Sequence, residues 1–333
     1  MTRALRTLAS IGLSAVFLYF AVRGLSWNEI RESLAQARWG WVVASFVPAL
    51  ASLAFRALRW GVFVRPLAPV ATMSLVSATA VGFAANMVLP LRAGEVIRPW
   101  MLSQKERISF THAFATVALE RLFDMATLVV FFAVAMATLP LPDDWRGYGR
   151  AFFATFVVFL VAIVTFVVAP KRVIGLLETL LRPLPEGIRK RVLDVTGQFA
   201  GGLAGLGSMG AVLVAAAWSL AIWAGIALSF GLCFFAFGLD VPFVEGSITV
   251  AAMVAIAVSI PGGPGFIGTF QFGCVVALGI YGVPGAAAVS YSFASHASQA
   301  ASSILAGLYF FLREGLTIRD VAGAAGKDAR SSG

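Results

Sequence analysis

Charge is scarce in this sequence. Aspartate, glutamate, lysine and arginine together make up 12% of its 333 residues, about half the quarter that is usual in soluble domains. So thin a polar surface cannot keep a chain of this length in water, which excludes the ordinary soluble enzymes. Histidine and cysteine are scarcer still, at two residues each. Cys233 and Cys274 stand alone inside apolar stretches, so neither a disulfide framework nor a thiolate metal site is expected, and both read as small buried hydrophobes. With only His112 and His296 available, no grouping of His, Cys and Asp of ligand type forms. No metal, catalytic nucleophile or cofactor is implied.

What fills the chain instead is apolar: 59% of residues are hydrophobic and the mean hydropathy is +0.89. This predicts an all-α polytopic membrane protein. Apolar runs near the ~20 residues that a bilayer core demands occur at 7–23, 39–57, 110–139, 150–170, 209–238 and 285–312. The first has a basic start but is too long for a signal peptide and lacks a cleavage pattern, so it reads as an uncleaved span. Two further apolar segments are broken. One, 70–89, runs into "LPLRAGEVIRPW"; the other, 247–283, is interrupted by "IPGGPGFIG".

Lysine and arginine mark cytoplasmic loops. If each broken segment is a re-entrant hairpin, 19 of the 25 Lys and Arg residues fall in cytoplasmic segments, both termini included, and five fall outside. Six full spans plus two hairpins is therefore the expected topology, with eight spans as the alternative. The transmembrane domain would cover 1–312, followed by a disordered cytoplasmic tail over 313–333. The net charge of +9 lies mostly in these loops and implies no nucleic acid.

The breaks carry the first functional signal. Pro90 removes a backbone donor and Gly94 permits tight geometry; Pro261, Gly262, Gly263, Pro264 and Gly265 do the same in the second break. Unpaired backbone at membrane depth survives only where protein or a polar cavity covers it. One hairpin would enter from each side, as in inverted repeats whose broken helices meet at a central site. A second signal is "ATVALERLFDMATLVV". Spacing of four places His112, Thr116, Glu120 and Asp124 on one helical face with Arg121 close to Asp124. Each charge costs about 2.5–3.5 kcal/mol at the bilayer centre, so that face must look inward. The last span offers a matching stripe of Ser292, Ser295, His296, Gln299 and Ser303.

Each feature also has a plain structural reading. Glu120, Arg121 and Asp124 would lock two helices, Arg92 and Arg98 would anchor a span end, the glycines would serve close packing, and the serine stripe would hydrogen-bond between helices. Their coincidence at two opposed breaks favours a site. Elsewhere, "SWNEIRESLAQARW" carries a Ser26 to Glu29 capping box and should lie along the outer interface, while the basic 171–199 region should rest on anionic cytoplasmic lipid.

In order, "NMVLPLRAGEVIRPWML", "ALERLFD" and "SIPGGPGFIGTFQ" resemble the flippase-like transmembrane region of the lysylphosphatidylglycerol synthases and their stand-alone relatives, over roughly 8–312. The resemblance implies lipid translocation in a bacterial inner membrane. The chain ends about 20 residues after its last span, so the aminoacyl transfer domain of the bifunctional members is not expected. Gln271 stands where related sequences often carry glutamate, so no acid is implied there. The expectation is a flippase for an anionic or phosphate-linked lipid. Arg92, Arg98 and Arg121 would bind the headgroup, Glu95, Glu120 and Asp124 would supply counter-charge or proton coupling, and Gln271, Ser295, His296 and Gln299 would form the polar lining. The alternatives are a membrane-embedded enzyme acting on lipid headgroups, or a scaffold for a lipid-synthesis enzyme partner.

Overall fold

The computed structural model describes residues 3–138 except 91, 169–193 except 184, 188 and 191, 208–317 except 261, scattered positions between 147 and 165, and Asp320. Most of the expected span at 150–170, Pro261 and the tail beyond Asp320 lie outside the described residues. Among the described residues there are eleven α-helices and no strand. They are α1 (Arg3–Val22), α2 (Trp27–Gln36), α3 (Trp39–Val64), α4 (Thr72–Val88), α5 (Gly94–Lys105), α6 (Phe110–Thr138), α7 (Pro170–Leu180), α8 (Met209–Phe237), α9 (Phe243–Ser259), α10 (Thr269–Gly279) and α11 (Gly285–Arg313).

The α1 and α2 axes meet at 80°. Gly24 takes a left-handed φ of 78° between them, and the Ser26–Glu29 capping box forms as the sequence predicts. Ile30 of α2 is buried, with its carbonyl accepting from Ser290 of α11, whereas Trp27 points outward. By length and composition α3 and α8 qualify as spans among the described residues, and the bent pair α1–α2 makes a third if it crosses once. Helices α6 and α11 are as long, at 29 residues each, but polar residues interrupt their apolar surfaces.

Two differences from the sequence reading matter for the site. First, the span expected at 39–57 continues to Val64 as one 26-residue helix, about 39 Å long at 1.5 Å per residue. That extension draws Arg56 and Arg59 inside the protein, where they are 9% and 0% exposed. Second, the first hairpin is not confined to 70–89. Its arms are α4 and α5, so "GEVIRPWMLSQK", expected in a cytoplasmic loop, is a helix packed back on α4 with Ile97, Arg98 and Met101 buried. Its polar residues are tolerated because protein rather than lipid surrounds them. Arg56, Arg59, Arg92 and Arg98 thus leave the count of loop charges, which stands at fifteen against five.

Glycine sets the crossing of the first hairpin. A Cβ at Gly94 would run into the Gly82 carbonyl of α4, and the Gly94 N–H donates to Asn86 Oδ1 at 2.8 Å. The second hairpin joins α9 and α10 the same way: a Cβ at Gly273 would lie 2.9 Å from the Val254 Cα. Its tip contains the short 3-10 turn Pro264–Phe266.

Element order and length recur along the chain. Helix α3, a hairpin of 17 and 12 residues, and α6 are followed by α8, a hairpin of 17 and 11 residues, and α11. The starting residues are offset by 170 to 175 positions. Each half has its own apolar core. Trp60, Leu75, Ile97 and Met101 centre the first; Phe230, Phe234, Phe270, Cys274 and Tyr291 centre the second. Both cysteines are buried and unpaired, as expected.

Candidate functional site

The two hairpin tips meet inside the protein. Helix α4 ends at Val88 and α5 begins at Gly94; α9 ends at Ser259 and α10 begins at Thr269. Each tip packs on the last turn of the other hairpin's first arm. The Arg92 guanidinium donates to the Val258 carbonyl, and a Cβ at Gly265 would lie 2.9 Å from the Met87 carbonyl. A cation at the C-terminal turn of α9 compensates the partial negative charge of its unsatisfied carbonyls. The second tip is also tied to α1, where Ser14 Oγ accepts from the Gly263 N–H at 2.6 Å.

Behind the tips lies a buried ion-pair network. Arg98 of α5 holds Glu120 of α6 with two guanidinium nitrogens, at 2.5 and 3.3 Å. The Arg98 guanidinium lies 3.9 Å over the Trp60 ring, whose Nε1 donates to Thr116 Oγ1 at 2.8 Å. Asp124 accepts from Arg59 at 2.8 Å and lies 3.5 Å from both Arg56 and Arg121. The Trp223 indole donates to it as well, at 3.4 Å. Glu95 sits 3.5 Å from Arg92 and 3.9 Å from Arg121. Arg59, fully buried, adds a contact to Glu120 at 3.8 Å and one to Ser219 at 2.8 Å.

Five guanidinium groups therefore face three carboxylates. With the acids ionised the cluster carries two positive charges in excess, in a place where an uncompensated ion is costly. The side chains keep spare donors: Arg98 Nε, Arg121 Nε, and Nε and a terminal nitrogen of Arg59 have no hydrogen-bond partner among the described residues.

A cavity of about 560 Å³ opens onto this network. Arg56, Arg92, Arg98, Arg121, Glu95 and Asp124 line it, whereas Glu120 and Arg59 stand behind the wall. Gly94 and Asn86 contribute from the first hairpin, and Phe266 and Phe270 from the second. The structure thus assembles Arg92, Arg98, Arg121, Glu95, Glu120 and Asp124 in one place.

Other predicted positions fall differently. His112 is exposed at the start of α6, beside the Ser109 hydroxyl, and is not part of the network although Thr116, Glu120 and Asp124 are buried on the same face. Of the four residues expected as polar lining, only His296 and Gln299 reach the cavity. Gln271 is instead a strut inside the second tip. Its Oε1 accepts from the Gly268 N–H at 2.7 Å, and its amide nitrogen lies 3.1 Å from His296 Nδ1. Ser295 is buried and donates to the Ser292 carbonyl of its own helix. Pro90 and Gly94 border the first tip, Gly262 to Gly265 the second, where Gly265 and Gly268 take left-handed φ values of 65° and 94°.

Arg56 and Arg59 are the members of this network that the sequence reading missed. The available signal was their spacing of three, which puts both on one face of a helix that continues through "RALRWGVFV". Phe83 receives the Arg56 guanidinium at 5.0 Å from its ring centre.

Residues 7–307 match the family described as the lysylphosphatidylglycerol synthase TM region. A curated protein, the glycosyltransferase AglD of Haloferax volcanii, is 26% identical over 140 residues, which is 42% of this chain and 22% of that protein. No solved structure matches the chain.

Proposed function

The chain belongs to the family of the lysylphosphatidylglycerol synthase transmembrane region, a membrane protein with a lipid-related role, and from that premise we propose that it moves a phosphate-bearing lipid between leaflets. The observation that carries this reading is the cavity wall: four arginines face two carboxylates where two helix hairpins meet. Guanidinium forks match phosphate oxygens in pairs and stay charged at any depth. Broken helices at a central site are the means by which transporters hold ions within the bilayer.

The network also supplies a way to release a charge without stranding its partner. A phosphate that draws Arg98 away from Glu120 would leave a buried carboxylate unpaired, at a cost of about 3–5 kcal/mol. Arg59 offsets that cost. It already sits 3.8 Å from Glu120 and carries donors with no partner. Arg98 would then exchange between Glu120 and the headgroup as access alternates, with the acyl chains staying in lipid. Recurrence of helix, hairpin and helix in the two halves favours an inverted repeat, in which the hairpins swap roles as the cavity opens to one side or the other.

The proposed location is a bacterial inner membrane with both termini cytoplasmic. The carboxylates at the cavity are each held by arginine, an arrangement suited to binding rather than to acid–base catalysis, so the protein is read as a transporter and not an enzyme. The partial likeness to a protein named as a glycosyltransferase accords with service to a lipid-synthesis enzyme as partner. Purified protein in liposomes containing fluorescent phosphatidylglycerol decides among these readings. Leaflet exchange with lipid mass unchanged is the expected result. A changed lipid mass would favour the enzyme, and neither change would favour the scaffold.

A further inference from the structure

Among the described residues, all the charge in the cavity wall comes from one half of the chain. The six arginine, glutamate and aspartate residues that line it lie between positions 56 and 124, and the described residues after 209 contribute none. Helices α6 and α11 make the contrast residue by residue. Both have 29 residues, starting at 110 and 285, so Glu120, Arg121 and Asp124 correspond to Ser295, His296 and Gln299. A charged triplet in one half is answered by a neutral polar triplet in the other, and of these Arg121, Asp124, His296 and Gln299 reach the cavity.

The neutral side is equipped for hydroxyl groups. The Gln299 amide nitrogen is buried against the cavity and has no hydrogen-bond partner among the described residues. Ser303, one turn further along the same helix, lines the cavity too. An ammonium group would find little there. Glu95 and Asp124, the only lining carboxylates among the described residues, stand on the charged side and are already paired with arginines. Three of the lining aromatic rings already carry a neighbour: Arg56 lies 5.0 Å from the centre of Phe83, Arg92 lies 5.5 Å over Phe266, and His296 stacks 4.2 Å from Phe270.

We propose that the headgroup taken by this cavity is a phosphodiester whose outer substituent is uncharged and hydroxyl-bearing, with phosphate on the arginine side and hydroxyls on the Gln299 side. An aminated substituent is disfavoured. The inference rests on the reading of the cavity as a lipid headgroup site, and it narrows the class of lipid. Glycerol and ring polyols share the required chemistry.

Retention of lipids by the purified full chain, read by native mass spectrometry, tests it with four lipids of identical acyl chains. These are phosphatidylglycerol, phosphatidylinositol, phosphatidylethanolamine and phosphatidic acid. The first two should be retained about tenfold over phosphatidylethanolamine, and their ratio to one another tells a linear polyol from a ring. Gln299→Leu should erase the preference for phosphatidylglycerol over phosphatidic acid, which has no outer substituent. Gln299→Glu, by placing a carboxylate on the neutral side, should raise phosphatidylethanolamine retention severalfold. Equal retention of phosphatidylglycerol and phosphatidylethanolamine, or selectivity unmoved in both variants, would overturn the inference. Leaflet exchange of the same lipids separates the two claims: selective retention without exchange removes transport and keeps the headgroup class, while unselective exchange does the reverse.

Discussion

Arg92 and Phe266 are the two non-glycine residues with left-handed backbone among those described, at φ of 54° and 60°, and the Arg92 guanidinium lies 5.5 Å from the centre of the Phe266 ring. One belongs to each hairpin tip. Such conformations cost on the order of 1–3 kcal/mol and persist where the surroundings impose them. Here the surroundings are the opposite tip, since the same arginine donates to Val258.

Coupling across that contact follows. Arg92→Gln and Phe266→Leu should each slow lipid exchange, and the double variant should be no slower than the worse single one, because both remove the same cation–ring contact, worth about 0.5–2 kcal/mol. Exchange rates in liposomes measure this. Fully additive losses would show that the tips act independently.

Arg59 should matter more for folding than its absence from the cavity wall suggests. Arg59→Gln removes donors from Asp124, Glu120 and Ser219 and should destabilise the protein by about 3–5 kcal/mol, as expected when one partner of a buried pair is deleted. Adding Asp124→Asn should recover part of that loss. Thermal unfolding in detergent reads both. An unchanged midpoint in Arg59→Gln would mean the network does not need its innermost cation.

Gly94→Ala should force α4 and α5 apart, because the new methyl meets the Gly82 carbonyl; overpacking of this kind costs about 1–3 kcal/mol. Gly279→Ala, where a Cβ meets nothing within 4 Å, is the matched control. Lower unfolding temperature and slower exchange in the first variant only is the expected pattern. Equal behaviour of the two would place the hairpin crossing elsewhere.

Much of this arrangement was legible in the sequence, for identifiable reasons. Proline and glycine marked both breaks, and charge in the middle of an apolar run marked α6, because neither is cheap in lipid. Helix α5 was not legible. Hydropathy reports contact with lipid, and α5 is wrapped by α4 and α6, so its polar residues imitated a loop. Arg56 and Arg59 were hidden by the same rule, since a charge near the end of an apolar run usually marks a membrane boundary. Gln271 was misplaced because the motif resemblance sets its position after the second break but not whether its side chain meets the cavity or the hairpin's own tip.

Topology gives an independent check. With Cys233 and Cys274 buried, single cysteines introduced near Lys105 and Arg191 should be labelled only from the cytoplasmic side, and one near Asp143 only from outside. Opposite accessibility of the positions near 105 and 191 would require a different number of crossings between them.

The most direct measurement is leaflet exchange of phosphatidylglycerol by wild type and Arg98→Lys, reconstituted at equal folded amounts. Arg98 grips Glu120 with two nitrogens and stacks on Trp60, and lysine keeps the charge while losing the fork. If that fork takes the headgroup phosphate, one charge-assisted hydrogen bond of about 1.5–3 kcal/mol is weakened or lost. Exchange should then fall by roughly ten- to hundredfold, at about 1.4 kcal/mol per tenfold. Exchange in Arg98→Lys at the wild-type rate, or none above empty liposomes in wild type, would refute a phosphate-gripping site at the hairpin tips.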